Sequence, residues 1–171
     1  ELGHADQLAA YHSHANRPSL LDLPLRRPLR EYQKKAVEAL AIQKKLLLAD
    51  DIGLGKTAVA IASIIYEKRT PALFVTMTQL TEQTAQEFSK FCNAVYSSRK
   101  GQTSSVDGRK LDGDIPADAI VLHRIEGLTP YSLPPDAVYI MTYSCLRGWP
   151  DVFGEGIFKY IVVDECQELR R

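Results

Sequence analysis

The stretch from Leu46 to Ala62, LLLADDIGLGKTAVAIA, places two aspartates, two glycines, a lysine and a threonine between apolar runs. Gly53 and Gly55 allow the backbone to turn several N–H groups toward one point, which forms a nest for anions. A helix that begins there would direct its positive end at the same point. Lys56 can reach the outer phosphates of a nucleotide, and the Thr57 hydroxyl can bind Mg²⁺. The stretch therefore predicts a phosphate-binding loop.

The loop departs from the usual phosphate-loop pattern, G-x-x-x-x-G-K-[ST], at its first position, where Asp50 replaces glycine. We expect one of Asp50 and Asp51 to cap the turn and the other to lie near the outer shell of the metal. The alternative is a plain glycine turn with a solvated lysine. The order strand, G-x-G-K-T and helix favours phosphate binding.

A second pair of acids ends the apolar run YIVV and consists of Asp164 and Glu165. Asp164 could bind Mg²⁺ through water, and Glu165 could polarise an attacking water as a general base. An acid pair after a strand is also a common helix N-cap. Together with the phosphate loop, the pair indicates nucleotide hydrolysis. The adjacent Cys166 is expected to be a small buried residue.

Composition sets broad limits on the class of protein. The chain has 171 residues, 21 basic and 21 acidic, and so a net charge of zero. This balance gives no hint of a nucleic-acid or membrane partner. The three cysteines form no C-x-x-C pair, so neither a zinc site nor a disulfide framework is indicated, and free thiols are typical of a reducing compartment. The length suits one globular domain.

Apolar runs and helical patterns alternate along the chain. Helices are predicted over 30–43, 55–69 and 81–92, the last with Thr81 as N-cap. Buried strands are predicted over 45–50, 71–77, 119–125, 137–146 and 158–165, and a polar surface loop over 93–118. This alternation predicts an α/β fold with a mainly parallel sheet, in which ligands bind at the carboxyl ends of the strands. Both acid pairs follow such ends.

In combination the motifs resemble the first RecA-like domain of superfamily 2 helicases, in particular the Swi/Snf family of duplex DNA translocases. The resemblance rests on LREYQ at 29–33, LADDIGLGKT at 48–57, ALFVTMTQLTEQTAQEFSKF at 72–91, VYIMTYSCL at 138–146 and VVDECQEL at 162–169. It covers residues 28–171, with 1–27 as an N-terminal extension or linker. It implies a RecA-like P-loop NTPase fold with helices on both faces of the sheet.

Carried over by position, the resemblance implies ATP and Mg²⁺ as cofactors and Gln33 as the residue that reads the adenine. Catalysis would rest on Lys56 and Glu165, and the metal would be held by Thr57 and Asp164. Nucleotide contacts would come from Asp51, Gly53, Leu54, Gly55, Lys56, Thr57 and Ala58. Nucleic acid would be contacted by Thr78, Gln79, Thr142 and Tyr143; the basic group Arg99, Lys100, Arg109 and Lys110 is more simply a solvated face.

The sequence departs from the Swi/Snf pattern at Thr76-Met77, at Gln83, and at Gln167, which replaces the histidine of the acid box. We expect Gln167 to alter coupling rather than abolish activity. We also expect the chain to be a fragment whose second RecA-like domain, in the same protein, supplies an arginine finger. Because such a finger is worth roughly 10³–10⁵ in rate, the fragment alone should be nearly inactive.

The resemblance implies a duplex DNA partner and no membrane, with a nuclear location in a eukaryote and a cytoplasmic one in a bacterium. Two further functions stay open. A strand-separating helicase or the motor subunit of a restriction system would share the phosphate loop. A non-catalytic, nucleotide-gated scaffold is the alternative from another class, although Lys56, Asp164 and Glu165 are all intact.

Overall fold

The computed structural model describes residues 23, 25–48, 54–68, 70–97, 103–106, 108, 114–153 and 156–166. The chain divides into two compact units, one up to Lys68 and the other from Arg69 onward. None of the described helices is both long and apolar enough to cross a membrane.

The described residues of the first unit form two helices, α1 (Glu31–Gln43) and α2 (Lys56–Glu67), which pack against each other. Both helical predictions are confirmed. Helix α1 buries Gln33, Val37 and Ala41 at the i, i+4 spacing that its sequence pattern predicts. It ends at Lys44, which has a left-handed backbone and whose Nζ lies 3.6 Å from Oε1 of the buried Glu67.

The prediction of a buried strand over 45–50 is wrong for the described residues 45–48, which form no strand. The Leu47 side chain is 75% exposed. A short apolar run becomes a strand only when a neighbouring strand satisfies its backbone, and no strand among the described residues pairs with this run. Ala49 and Asp50 lie outside the described residues.

The second unit is built on a six-stranded sheet in the order β3-β2-β4-β5-β1-β6. Its strands are β1 (Ala72–Thr76), β2 (Ala94–Ser97), β3 (Thr103–Ser105), β4 (Ile120–Arg124), β5 (Val138–Thr142) and β6 (Tyr160–Val163). All neighbours are parallel except β2 and β3. The fold is therefore α/β with a mainly parallel sheet, as predicted.

Three local predictions in this unit are wrong. The strand predicted over 137–146 ends at Thr142, and the residues after it form a short helix, Tyr143–Leu146. The stretch 93–118 was expected to be a surface loop, but it contributes β2 and β3, and β2 pairs with β4 from Ala94↔Ile120 to Tyr96↔Leu122. Helix α3 (Thr81–Phe91) forms where expected, but Thr81 is not its N-cap. A 3₁₀ turn, Thr78–Leu80, leads directly into the helix, and the Thr81 hydroxyl donates to the Thr78 carbonyl at 3.0 Å.

Strand β1 is an interior strand between β5 and β6, and all five of its residues are buried. Because side chains alternate across a strand, Leu73 and Val75 join one apolar cluster with Tyr139 and Trp149. Phe74 points the other way and meets Phe88 of α3 edge-to-face, with ring centroids 6.2 Å apart. Both faces of the strand are thus covered, which fixes the position of its carboxyl end.

Candidate functional site

Gly55 joins the predicted phosphate loop to helix α2. Its φ is +78°, a left-handed conformation that L side chains rarely adopt, and it serves as the N-cap of α2. A Cβ atom at this position would lie 2.6 Å from Gln33 Nε2. Two features therefore require glycine here. The backbone is left-handed, and the Gln33 amide leaves no space for a Cβ atom.

Gln33 is buried, with 7% of its surface exposed. Both the oxygen and the nitrogen of its side-chain amide form hydrogen bonds. Its Oε1 accepts from the Arg30 backbone N–H at 2.9 Å, and its Nε2 donates to the Leu54 carbonyl at 3.2 Å. The side chain thus joins the start of helix α1 to the loop that precedes Lys56. Among the described residues these two bonds leave one N–H and one acceptor lone pair of the amide for the adenine contact that the sequence predicts.

Tyr32 adds a second link between helix α1 and the loop. Its hydroxyl donates to the same Leu54 carbonyl at 2.8 Å, while the side chain stays 39% exposed. The carbonyl therefore accepts two hydrogen bonds from neighbouring residues of one helix. These bonds hold the loop one residue before Gly55 and leave an aromatic ring at the surface beside it.

The remaining nucleotide-binding candidates fall into two groups. Lys56 and Thr57 occupy the first turn of helix α2 and are half-buried, and Ala58 is buried. Leu54 is 37% exposed. Asp51 and Gly53 lie outside the described residues. The N-terminus of this twelve-residue helix carries the positive end of the helix dipole, so its electrostatics suit a phosphate.

In the second unit, Asp164 and Glu165 follow strand β6 directly, at the carboxyl end of the sheet. The Asp164 backbone N–H donates to the Val75 carbonyl at 2.9 Å. Thr76 Oγ1 donates to Asp164 Oδ2 at 3.4 Å, and the Tyr143 hydroxyl donates to the Asp164 carbonyl. Glu165 has a φ of +54°, which is uncommon for a residue other than glycine. The acid pair is therefore fixed by contacts from β1 and from the end of β5.

The candidates for nucleic-acid contact differ in their exposure. Thr78 and Gln79 are exposed in the 3₁₀ turn after β1. Thr142 is buried, and its Oγ1 lies 2.8 Å from Ser144 Oγ and 3.2 Å from Cys145 Sγ. Tyr143, the first residue of the short helix α4 (Tyr143–Leu146), is half-buried and directs its hydroxyl at Asp164. Only the first pair presents side chains to the surface.

The Tyr143 and Thr76 contacts with Asp164 are features of the candidate site that the sequence did not predict. Thr76 and Tyr143 are separated from Asp164 by 88 and 21 positions in the chain. No spacing rule joins residues that meet only through strand pairing. The Cys166 prediction is wrong: its side chain is exposed, whereas Cys92 and Cys145 are buried. Gln167 lies outside the described residues.

A separate cavity of about 350 Å³ opens at the carboxyl ends of β2 and β4. Glu82, Tyr96 and Arg124 contribute to its lining. Burial, and then the negative charge of Glu82, raise the pKa of the Tyr96 phenol to about 12. The charged groups of the lining are two carboxylates, Glu82 and Glu126, and the Arg124 guanidinium.

His123 lies in strand β4, is buried, and has a hydrogen-bond partner at each ring nitrogen. Its Nδ1 is 2.8 Å from the Ser97 carbonyl, and its Nε2 is 2.9 Å from the Tyr131 hydroxyl. Burial lowers the pKa of the imidazole, because the charged form would lose its hydration, and the Ser97 hydrogen bond only partly opposes this. The neutral ring is therefore the form that the folded chain favours.

The parallel sheet, the glycine-capped helix that carries Lys56-Thr57 and the acid pair after β6 define the class: a superfamily 2 helicase-like domain with a RecA-like fold. A family model described as "type III restriction enzyme, res subunit" matches residues 26–171, and the chain belongs to this family. No curated protein matches the chain significantly. Family membership makes the chain a helicase-like, ATP-binding motor domain of a kind that generally uses ATP and Mg²⁺ and acts on nucleic acid.

Proposed function

We propose that this chain is the ATP-binding half of a motor that moves along duplex DNA, driven by ATP hydrolysis. The observation that carries the proposal is the left-handed Gly55 at the N-cap of helix α2. There, Gln33 and Leu54 lock the end of the loop onto helix α1, immediately before Lys56 and Thr57. A glycine that leaves no space for a Cβ, followed directly by the positive end of helix α2, forms a cradle that fits phosphate.

In this proposal each residue has a separate role. Lys56 holds the outer phosphates and stabilises the charge that develops on them, while the Thr57 hydroxyl and Asp164 hold the metal. Glu165 orients the attacking water and accepts its proton. Mg²⁺, when bound, neutralises phosphate charge. Gln33 bonds the adenine edge with the N–H and lone pair that its contacts in the protein leave over.

Contact with DNA is proposed for the exposed turn after β1. Thr78 and Gln79 offer a hydroxyl and an amide at the surface, which suit phosphate oxygens of the DNA backbone. Such contacts carry no sequence information, as a motor that moves along any sequence requires. The LREYQ and LADDIGLGKT motifs, similar to those of Swi/Snf translocases, favour a duplex as the track.

The second candidate is the motor subunit of a restriction system, and the family match supports it directly. It uses the same nucleotide site and the same track. The two candidates differ in what the motion accomplishes: one displaces or remodels bound proteins, and the other brings a nuclease to its cleavage site.

The test is ATP hydrolysis by the full-length protein with duplex DNA, single-stranded DNA, RNA or no nucleic acid. We expect duplex DNA to stimulate hydrolysis most, and Lys56→Ala to reduce the stimulated rate by at least about 100-fold, because a positioned charge on the transferred group is lost. The matched control is Lys35→Ala, which removes an exposed lysine from helix α1.

Each result has a distinct meaning. Stimulation by RNA or single strands alone would replace the translocase with a strand-separating helicase. Bound ATP without hydrolysis under every condition would favour a nucleotide-gated scaffold. DNA cleavage that requires ATP would select the restriction motor over the remodeller.

A further inference from the structure

We infer that Tyr143 is a positioning residue of the acid pair, and that Thr76 assists it. The inference deepens the proposed function and rests on it for the meaning of the acid pair. The Tyr143 hydroxyl donates to the carbonyl of Asp164, the residue proposed to hold the metal. That carbonyl belongs to the peptide group that joins Asp164 to Glu165.

The peptide between the two acids sets the backbone of Glu165. Glu165 has a φ of +54°, a conformation that costs an ordinary residue free energy and persists only when the surroundings enforce it. A hydrogen bond to the preceding carbonyl is one such restraint, since it fixes the orientation of the peptide plane. Tyr143 therefore determines where the Glu165 carboxylate is directed.

Thr76 acts on the other side of Asp164. Its side chain is fully buried at the end of β1, and its Oγ1 donates to Asp164 Oδ2 at 3.4 Å. The backbone N–H of Asp164 donates to the neighbouring Val75 carbonyl at 2.9 Å. The N–H, the carboxylate and the carbonyl of Asp164 are thus each bonded to a different residue, and the Tyr143 contact comes from helix α4, directly after β5.

This geometry gives Tyr143 a different role from the DNA contact that its sequence position predicts. Tyr143 is half-buried and its hydroxyl proton is donated to the Asp164 carbonyl, so it is not available to donate to a DNA phosphate. Thr78 and Gln79 remain the DNA-contact candidates. Removing the Tyr143 hydroxyl should therefore affect turnover and leave DNA affinity unchanged.

The experiment compares Tyr143→Phe and Thr76→Val with wild type in the full-length protein. The matched control is Tyr139→Phe, which removes a tyrosine hydroxyl of strand β5 that donates to a different backbone carbonyl, that of Pro134. Hydrogen–deuterium exchange over 160–166 reports the acid pair without requiring nucleotide. ATP hydrolysis and duplex DNA affinity are measured on the same samples.

We expect exchange over 160–166 to be faster in Tyr143→Phe and unchanged in Tyr139→Phe. The kcat should fall roughly two- to tenfold in Tyr143→Phe, the range for losing one hydrogen bond, with the KM for ATP and the DNA affinity unchanged. Thr76→Val should raise the Mg²⁺ concentration needed for half-maximal activity, because it releases the metal-binding carboxylate.

Unchanged exchange in Tyr143→Phe overturns the inference, whatever the protein hydrolyses. A drop in DNA affinity with unchanged exchange also overturns it and makes Tyr143 a DNA contact. If the wild-type protein hydrolyses no ATP, the proposed function fails, while the exchange comparison still decides whether Tyr143 positions the acid pair.

Discussion

Substitution of Gly55 by alanine should destabilise the first unit through two separable effects. The backbone has a φ of +78°, and a left-handed conformation costs an L residue about 1–2 kcal/mol. The new Cβ would also lie 2.6 Å from Gln33 Nε2, so the amide must move. Its hydrogen bond to the Leu54 carbonyl is then lost, at a cost of about 0.5–1.5 kcal/mol. The expected total is about 1.5–3.5 kcal/mol.

A double-mutant cycle with Gln33→Ala separates the two effects. In the Gln33→Ala background the clash is absent, so Gly55→Ala should cost only the backbone part, about 1–2 kcal/mol. Urea unfolding followed by far-ultraviolet circular dichroism measures all four proteins, since the described part of this unit is largely helical. Equal costs in both backgrounds would refute the account of Gln33 as the residue that excludes a side chain at position 55.

Two further predictions concern the second unit. A Cβ at Gly148 would clash with the Leu128 backbone, so Gly148→Ala should lower the free energy of unfolding by about 1–3 kcal/mol. Gly127→Ala needs a left-handed backbone but meets no atom within 4 Å, so it should lower the free energy of unfolding less. The reverse order in urea unfolding would contradict this packing. Burial lowers the pKa of His123 in the folded chain, so on acidification the unfolded chain takes up a proton at this residue first. The free energy of unfolding should therefore fall as the pH drops below about 6.5. His123→Gln should flatten that part of the stability profile measured by urea unfolding, and an unchanged slope would show that other groups cause it.

The sequence predicted well what depends on local pattern. Helices α1, α2 and α3 carry their apolar residues at helical spacing, and β1 is a short apolar run begun by a proline, so their bounds were predicted within about two residues. The order of the Gly55, Lys56 and Asp164 motifs was sufficient to indicate the superfamily.

What the sequence could not predict depends on pairing between distant residues. Ala94–Ser97 is too short to show a period, and it is a strand because β4, more than twenty residues later, pairs with it. The run at Leu46 and Leu47 has strong strand character but is exposed, because no described strand lies beside it. Tyr143 follows β5 in a position that suggested DNA contact, yet the register of the sheet directs its hydroxyl to Asp164.

The pairing of β1 has a mechanical consequence. This strand is held by β5 across five register pairs, from Ala72↔Val138 to Thr76↔Thr142, and by β6 across four. A pull on the Thr78–Leu80 turn along the strand axis would load both rows of hydrogen bonds in shear at once, instead of opening them one after another. If the proposed DNA contacts lie in that turn, the force of each step passes into the strand of the sheet that is anchored on both sides.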